Sequence, residues 1–178
     1  MPRLKPAEVE SRARAIRVLL FDVDGVLTDG GVYVDADGRE TKRFDIKDGA
    51  AIAAASRVGL LTGVLSARAS ASTNARATEL GMKIIMQGVA SKKKAFDEIL
   101  QGHKLTPAEV AYMGDDLVDL AVLGHVGLAG CPSDAAAEVL TASHWVSQQS
   151  GGRGAAREFI EVILKARGQW DDVLSQYA

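Results

Sequence analysis

Apolar and polar positions along this chain follow two periods, and the alternation between them sets out the expected elements. Short apolar runs of strand length recur at 18–21, 60–65, 83–86, 110–113, 126–129 and 145–146. Such runs, bounded by turn residues, mark strands buried on both faces, as in a parallel sheet. Between them lie helical segments. The first is expected over 6–15, with Pro6 at its start. The next is capped by Asp48, runs through 50–55 and closes at Gly59. A third covers 69–80 and closes at Gly81, and a fourth covers 92–101 behind Ser91 as N-cap. Thr106, Pro107 and Glu109 form a capping box that opens a brief turn. Ser133 and Asp134 cap a helix over 135–141. After a glycine-rich segment at 150–154, a helix over 155–167 carries Phe159, Ile160, Ile163 and Leu164 on one face, and a last segment, 170–177, packs on it.

Strands alternating with helices at this spacing define an α/β fold, a Rossmann-like doubly wound parallel sheet. One feature interrupts the alternation. Residues 32–34 and 39–44, joined by Asp35, Asp37 and Gly38, read as a β-hairpin inserted at about 31–44, between the first strand and the first core helix. Its apolar residues Val32, Tyr33, Val34 and Phe44 and its free strand edges call for a cover. With 178 residues, the chain reads as a single domain over 1–178, its C-terminal helices at 155–178 included.

The chemistry begins where the first strand ends. Asp22 and Asp24 follow the apolar run 18–21 and precede Gly25. Ligands of open α/β sheets bind at the carboxyl ends of strands. A lone Asp-x-Asp-Gly is equally an acidic turn. The run 110–113 decides the matter, because Gly114, Asp115, Asp116 and Asp119 follow it in the same way. If those strands are neighbours, four or five carboxylates converge on one pocket. Close carboxylates repel and are held together by a cation or a shared proton. Mg²⁺ takes oxygen ligands and uses one or two carboxylates with waters and substrate phosphate.

Composition narrows the field. A net charge of −2 gives no reason to expect nucleic acid or an acidic membrane as partner. The single cysteine, Cys131, excludes an intramolecular disulfide and a multi-cysteine zinc site, and reads as structural. His103, His125 and His144 are scattered without metal-ligand spacing and also read as structural or exposed. No apolar run reaches the roughly 18 residues needed to span a bilayer, and the charged N-terminus lacks a signal-peptide core. A cytoplasmic enzyme is the expectation.

Asp22-Val23-Asp24-Gly25-Val26, together with Gly114-Asp115-Asp116-Leu117-Val118-Asp119, resembles the haloacid dehalogenase-type phosphatase superfamily. The likeness runs from about Ile16 to about Phe159. Residues 44–49, Gln87-Gly88 before Lys92, 111–116 and 150–154 are similar to the small capless branch that acts on 3-deoxy-D-manno-octulosonate 8-phosphate. In larger members a cap domain occupies the place of the hairpin. In this branch, the resemblance implies, the hairpins assemble a homotetramer.

The resemblance implies roles for particular residues. Asp22 would be the nucleophile that forms an aspartyl-phosphate. Asp24 would protonate the leaving sugar oxygen and then deprotonate the attacking water. Ser66 would hold a phosphate oxygen, although Ala67 follows it where many relatives carry glycine. Lys92 would pair with the nucleophile and the phosphoryl group, with Lys93 and Lys94 as competitors. Mg²⁺ would be held by Asp22, the backbone carbonyl of Asp24, and Asp115, with Asp116 and Asp119 orienting those ligands. Lys47 and Arg68 flank the expected pocket as cations, and Arg grips a carboxylate bidentately. Thr28 and Asp29 are expected against sugar hydroxyls, and Arg153 in a glycine segment that closes over the site. The implied substrate is a sugar-acid phosphate. Rival readings are a nonulosonate 9-phosphate phosphatase, a phospho-receiver signalling domain, and a non-catalytic oligomeric scaffold.

Overall fold

A computed structural model describes residues 3–176. The strands are β1 (Val18–Phe21), β2 (Tyr33–Val34), β3 (Glu40–Thr41), β4 (Leu61–Leu65), β5 (Ile84–Met86), β6 (Val110–Met113), β7 (Leu128–Cys131) and β8 (Trp145–Val146). The helices are α1 (Pro6–Arg14), α2 (Ile46–Arg57), α3 (Ala71–Glu79), α4 (Lys92–His103), α5 (Leu120–Leu123), α6 (Ala137–Ala142), α7 (Ala155–Ala166) and α8 (Trp170–Leu174). Tyr177, expected in the last segment, lies outside the described residues.

Among the described residues, β5-β4-β1-β6-β7-β8 form one six-stranded sheet, and every pairing in it is parallel. Strand β1 is central, with β4 on one side and β6 on the other. Alternation along β1 feeds two cores. Leu19 and Phe21 face α1, α2 and α7, where Val9, Ala13, Ile52, Phe159, Ile160 and Ile163 pack. Val18 and Leu20 face α4 and α5, where Phe96, Ile99, Val122 and Leu123 pack. A strand covered on both sides has no polar face, which is why β1 and β6 read as unbroken apolar runs. The direction of the chain reverses around β1, and that switch point is where the carboxyl-end loops of β1, β4 and β6 open a crevice.

The hairpin is present as a separate two-stranded antiparallel sheet, with Tyr33 opposite Thr41 and Val34 opposite Glu40. Three local expectations need correction. The N-cap of α2 is Asp45, whose carboxylate accepts from the N–H groups of Lys47 and Asp48. Asp48 stands one turn inside and caps a different helix: its carboxylate accepts from Gly154 N (3.2 Å) and Arg157 N (2.8 Å) at the start of α7. Strand β7 begins at Leu128 rather than Val126, because Gly127 turns there, donating to Pro107 O at 2.8 Å. Helix α6 begins at Ala137 without a side-chain cap. Asp134 instead accepts from Gly151 N at 3.0 Å, tying the glycine segment down.

Candidate active site

The catalytic and metal-binding candidates arrive at the crevice at or just beyond the ends of core elements. Asp22 continues β1, its N–H still bonded to Met113 O at 2.9 Å. Ser66 continues β4 in the same way, donating to Met86 O at 2.9 Å. Asp115 and Asp116 follow β6, and Lys92 opens α4 behind Ser91, which caps it by accepting from Lys94 N. Asp22, Asp24, Ser66, Ala67, Arg68, Lys92, Asp115 and Asp116 line one pocket of about 340 Å³. The lysine run thereby resolves: Lys92 is buried in the site, while Lys93 pairs with Asp97 on the outer surface.

Lys92 is the hub. Its Nζ lies 2.7 Å from Asp22 Oδ1 and 2.5 Å from Asp119 Oδ1. Burial opposes its charge, but Asp22 and Asp119 outweigh that and hold the ammonium above its ordinary pKa. A buried ammonium without partners would be very costly, whereas two carboxylates in contact compensate it. The Tyr112 hydroxyl, fully buried on β6, donates to Asp119 Oδ1 at 2.5 Å. The other oxygen of Asp119 accepts from the N–H groups of Asp115 (2.9 Å) and Asp116 (3.2 Å). Asp119 is therefore saturated by the protein.

Asp115 is not. Oxygens of Asp22, Asp115 and Asp119 lie within 4.8 Å of one another, a spacing suited to a shared cation. Asp115 Oδ1 is buried and has no hydrogen-bond partner. Burial, followed by the charges of Asp22 and Asp119, pushes Asp115 up to about 8. Burial, followed by Asp119, pushes Asp22 up to about 6 against the pull of Lys92. A buried, unpartnered carboxylate oxygen beside a second carboxylate is a donor set for a hard divalent cation. Because Asp119 has no lone pair to spare, Asp22 and Asp115 are the side chains that fit such an ion. Gly25 leaves room for this: with φ +87°, any Cβ there would fall 2.0 Å from Asp115 Oδ2.

The hairpin also reaches the site. Lys42, just beyond β3, places its ammonium on Asp24 Oδ1 and 2.9 Å from Glu40 Oε1. Glu40 is joined to Arg68, whose Nε lies 3.8 Å from Asp24 Oδ2. Lys42, Glu40 and Tyr112 were not among the residues singled out from the sequence. Glu40 and Lys42 are two apart on a strand-like run and so share a face, which was the available signal.

The expected sugar contacts fare unevenly. Thr28 is buried, and its hydroxyl accepts from Gly30 N at 3.2 Å and lies 3.4 Å from Gly25 N and Val23 O, so it shapes the loop instead of facing the pocket. Lys47 stands exposed in the first turn of α2 and does not line the pocket. Arg153 is exposed, 3.9 Å from Asp29, while Gly151 and Gly152 beside it pack backbone-to-backbone on the loop 25–29. Asp116 is exposed at the rim and caps the turn Leu117–Asp119. His144 is buried, accepting from Ala129 N at 3.0 Å, and Cys131 is buried in the second core.

A crevice at a switch point, a lysine bridging two carboxylates and an acidic pair open to a cation define a hydrolase of the haloacid dehalogenase type. The family model of haloacid dehalogenase-like hydrolases matches residues 62–159, and the chain belongs to that family. It is 36% identical over 170 residues to the 3-deoxy-D-manno-octulosonate 8-phosphate phosphatase KdsC of Escherichia coli strain B / BL21-DE3, covering 96% of this chain and 90% of that one. Among solved structures, a probable YrbI family phosphatase from Pseudomonas syringae superposes with TM-score 0.94 at 40% identity, covering 96% of this chain and 97% of that one. The 3-deoxy-D-manno-octulosonate 8-phosphate phosphatase of Moraxella catarrhalis, in complex with magnesium ion, phosphate ion and KDO, superposes with TM-score 0.94 at 32% identity, covering 96% of this chain and 98% of that one.

Proposed function

We propose that this protein hydrolyses 3-deoxy-D-manno-octulosonate 8-phosphate to the free sugar acid and phosphate, with Mg²⁺ as cofactor. The observation that carries the reading is Lys92, which bridges Asp22 and Asp119 beside an Asp115 oxygen that has no partner. The likeness to KdsC over 96% of the chain selects the substrate.

Asp22 is the nucleophile. One of its oxygens attacks phosphorus, and the bond from phosphorus to the sugar oxygen breaks, leaving an aspartyl-phosphate. Asp24 gives its proton to the departing oxygen. It then takes a proton from the water that attacks phosphorus, and the Asp22 carboxylate leaves. Lys92 and the Ser66 hydroxyl hold phosphoryl oxygens while charge builds on them. Asp22, the Asp24 carbonyl and Asp115 would hold Mg²⁺, which neutralises charge between carboxylate and phosphate dianion. Asp116 and Asp119 keep the acidic loop in place around those ligands. Arg68 and Arg153 are the cations offered to the substrate carboxylate, Arg153 from a segment packed on the loop 25–29.

The hairpin exposes Val32, Tyr33 and Val34, and a two-stranded ribbon is marginal by itself. Exposed apolar side chains on a ribbon with free edges call for a cover, and this supports a homotetramer built through residues 31–44. In this reading the enzyme works in the cytoplasm, in lipopolysaccharide precursor synthesis, with no role for nucleic acid or membrane. Among the described residues no helix is long and apolar enough to cross a membrane.

The test is phosphate release from a panel: the eight-carbon sugar-acid 8-phosphate, a nonulosonate 9-phosphate and hexose phosphates, each with Mg²⁺ or with chelator. Metal-dependent preference for the eight-carbon acid supports the proposal. Preference for the nine-carbon acid moves the substrate, and no release from any of them ends it.

A further inference from the structure

We infer that Lys42 is a positioning residue for the acid/base step, so that the hairpin is part of the catalytic apparatus as well as an assembly surface. This rests on the reading of Asp24 as the general acid and base. The Lys42 side chain is only 1% exposed, although it leaves a hairpin whose apolar residues are largely in water. Its ammonium meets two carboxylates, Asp24 Oδ1 and Glu40 Oε1. Glu40 in turn holds Arg68. The four side chains form a chain of alternating charge that runs from the hairpin to the pocket wall. Its order matters: the strong contact to Asp24 uses one carboxylate oxygen, and the nearest cation to the other is Arg68 Nε at 3.8 Å.

A carboxylate that must deliver a proton to one oxygen and later withdraw one from water needs a fixed orientation. Misplacement of a reacting group by about 1 Å costs roughly a hundredfold in rate. Asp24 follows the end of β1 and lies in a loop, so the sheet does not supply that orientation. Lys42 does, from just beyond β3, which the chain reaches only after the turn at Asp35–Gly38. An ion pair that merely anchored the hairpin would not need to fall on the residue two positions beyond the nucleophile.

The experiment compares Lys42→Met, Lys42→Arg and Asp24→Asn on two substrates, with melting temperature and oligomeric mass recorded for each. A sugar phosphate has a poor leaving group that needs the acid, whereas p-nitrophenyl phosphate has a good one that does not. Both aspartyl-phosphates need the base. Lys42→Met is expected to lower kcat on the sugar phosphate by about a hundredfold, within the usual range for acid–base catalysis. On p-nitrophenyl phosphate it should give a burst of one nitrophenolate per subunit, followed by slow turnover, as Asp24→Asn should. Lys42→Arg is expected to recover part of the loss. Folded Lys42→Met enzyme with unchanged kcat, or with both substrates slowed equally and no burst where Asp24→Asn shows one, would overturn the inference. Sugar-phosphate turnover retained by Asp24→Asn would remove the acid/base assignment itself, and the inference with it.

Discussion

Asp48 and Arg157 are 109 residues apart, yet the Asp48 carboxylate accepts the Arg157 N–H at 2.8 Å and so caps a helix to which it does not belong. Its second oxygen takes the Gly154 N–H at 3.2 Å. Burial raises its pKa, and these two donors offset part of that. The contact locks the glycine segment 150–154 against the first turn of α2. Asp48→Ala is expected to destabilise the protein by about 1–3 kcal/mol, the cost of losing a cap and stranding buried donors. Asp48→Asn keeps an acceptor and should cost less. Urea unfolding of the two variants measures the difference, and equal midpoints for Asp48→Ala and the parent would contradict the capping role.

Asp115 gives the metal-free protein a pH dependence with a definite sign. Its pKa is pushed up to about 8, so the native state holds this proton more tightly than the unfolded chain does. The linked stability is complete below the ordinary carboxylate range, near 4, and is lost as pH rises through about 8. Asp22, at about 6, acts in the same direction over a lower window. Lys92 stays charged throughout. Chelated protein should therefore melt at progressively lower temperature between about pH 4 and 8, and the gain on adding Mg²⁺ should grow over that range as the proton is displaced. Asp115→Asn is expected to raise the melting temperature of chelated protein at about pH 8 by about 2–4 °C, the equivalent of about 1 kcal/mol, while weakening the response to Mg²⁺. A metal-induced gain independent of pH would contradict this.

Arg153 offers a separate test of substrate reading. Its side chain is 62% exposed and pairs only loosely with Asp29, so its removal should leave the fold intact. Arg153→Ala is expected to reduce kcat/KM on the sugar-acid phosphate at least tenfold, the equivalent of about 1.4 kcal/mol of lost charge-assisted contact. The loss on p-nitrophenyl phosphate, which has no carboxylate, should stay within about twofold. Equal losses on both substrates would count against a role in substrate binding.

The hairpin should govern assembly. Tyr33 and Val34 are exposed on β2, and charge on a buried subunit interface is strongly unfavourable. Tyr33→Glu with Val34→Glu is expected to convert a tetramer to smaller species in sedimentation velocity. An unchanged mass, or a parent protein that is already monomeric, would contradict assembly through residues 31–44.

Much of this was legible in the sequence because burial on both faces leaves a plain mark. Strands β1 and β6 are unbroken apolar runs, and a carboxylate loop directly after each places Asp22 and Asp115 together once the strands pair. What could not be read was contact across sequence distance. Lys42 meets Asp24 only because the hairpin folds back, and Tyr112 finds Asp119 only because the loop after β6 curls under the strand. Asp48 has the composition of a cap, but Asp45 occupies that position, and the true partner of Asp48 lies in α7. Thr28 is of a type that suits a sugar hydroxyl, yet its burial turned it inward to close the loop. Residues 126–129 are apolar enough for a strand, and only the turn at Gly127 moves its start to Leu128.

The central claim is that Asp22 carries the phosphoryl group, and the most direct measurement is to find it there. Asp24→Asn enzyme, mixed with Mg²⁺ and p-nitrophenyl phosphate and quenched in acid, is expected to hold one phosphoryl group per chain, on the peptide containing Asp22. The same treatment of an Asp22→Asn, Asp24→Asn double variant should leave the chain unmodified. A phosphoryl group on any other residue, or persistent turnover by Asp22→Asn, would contradict the account.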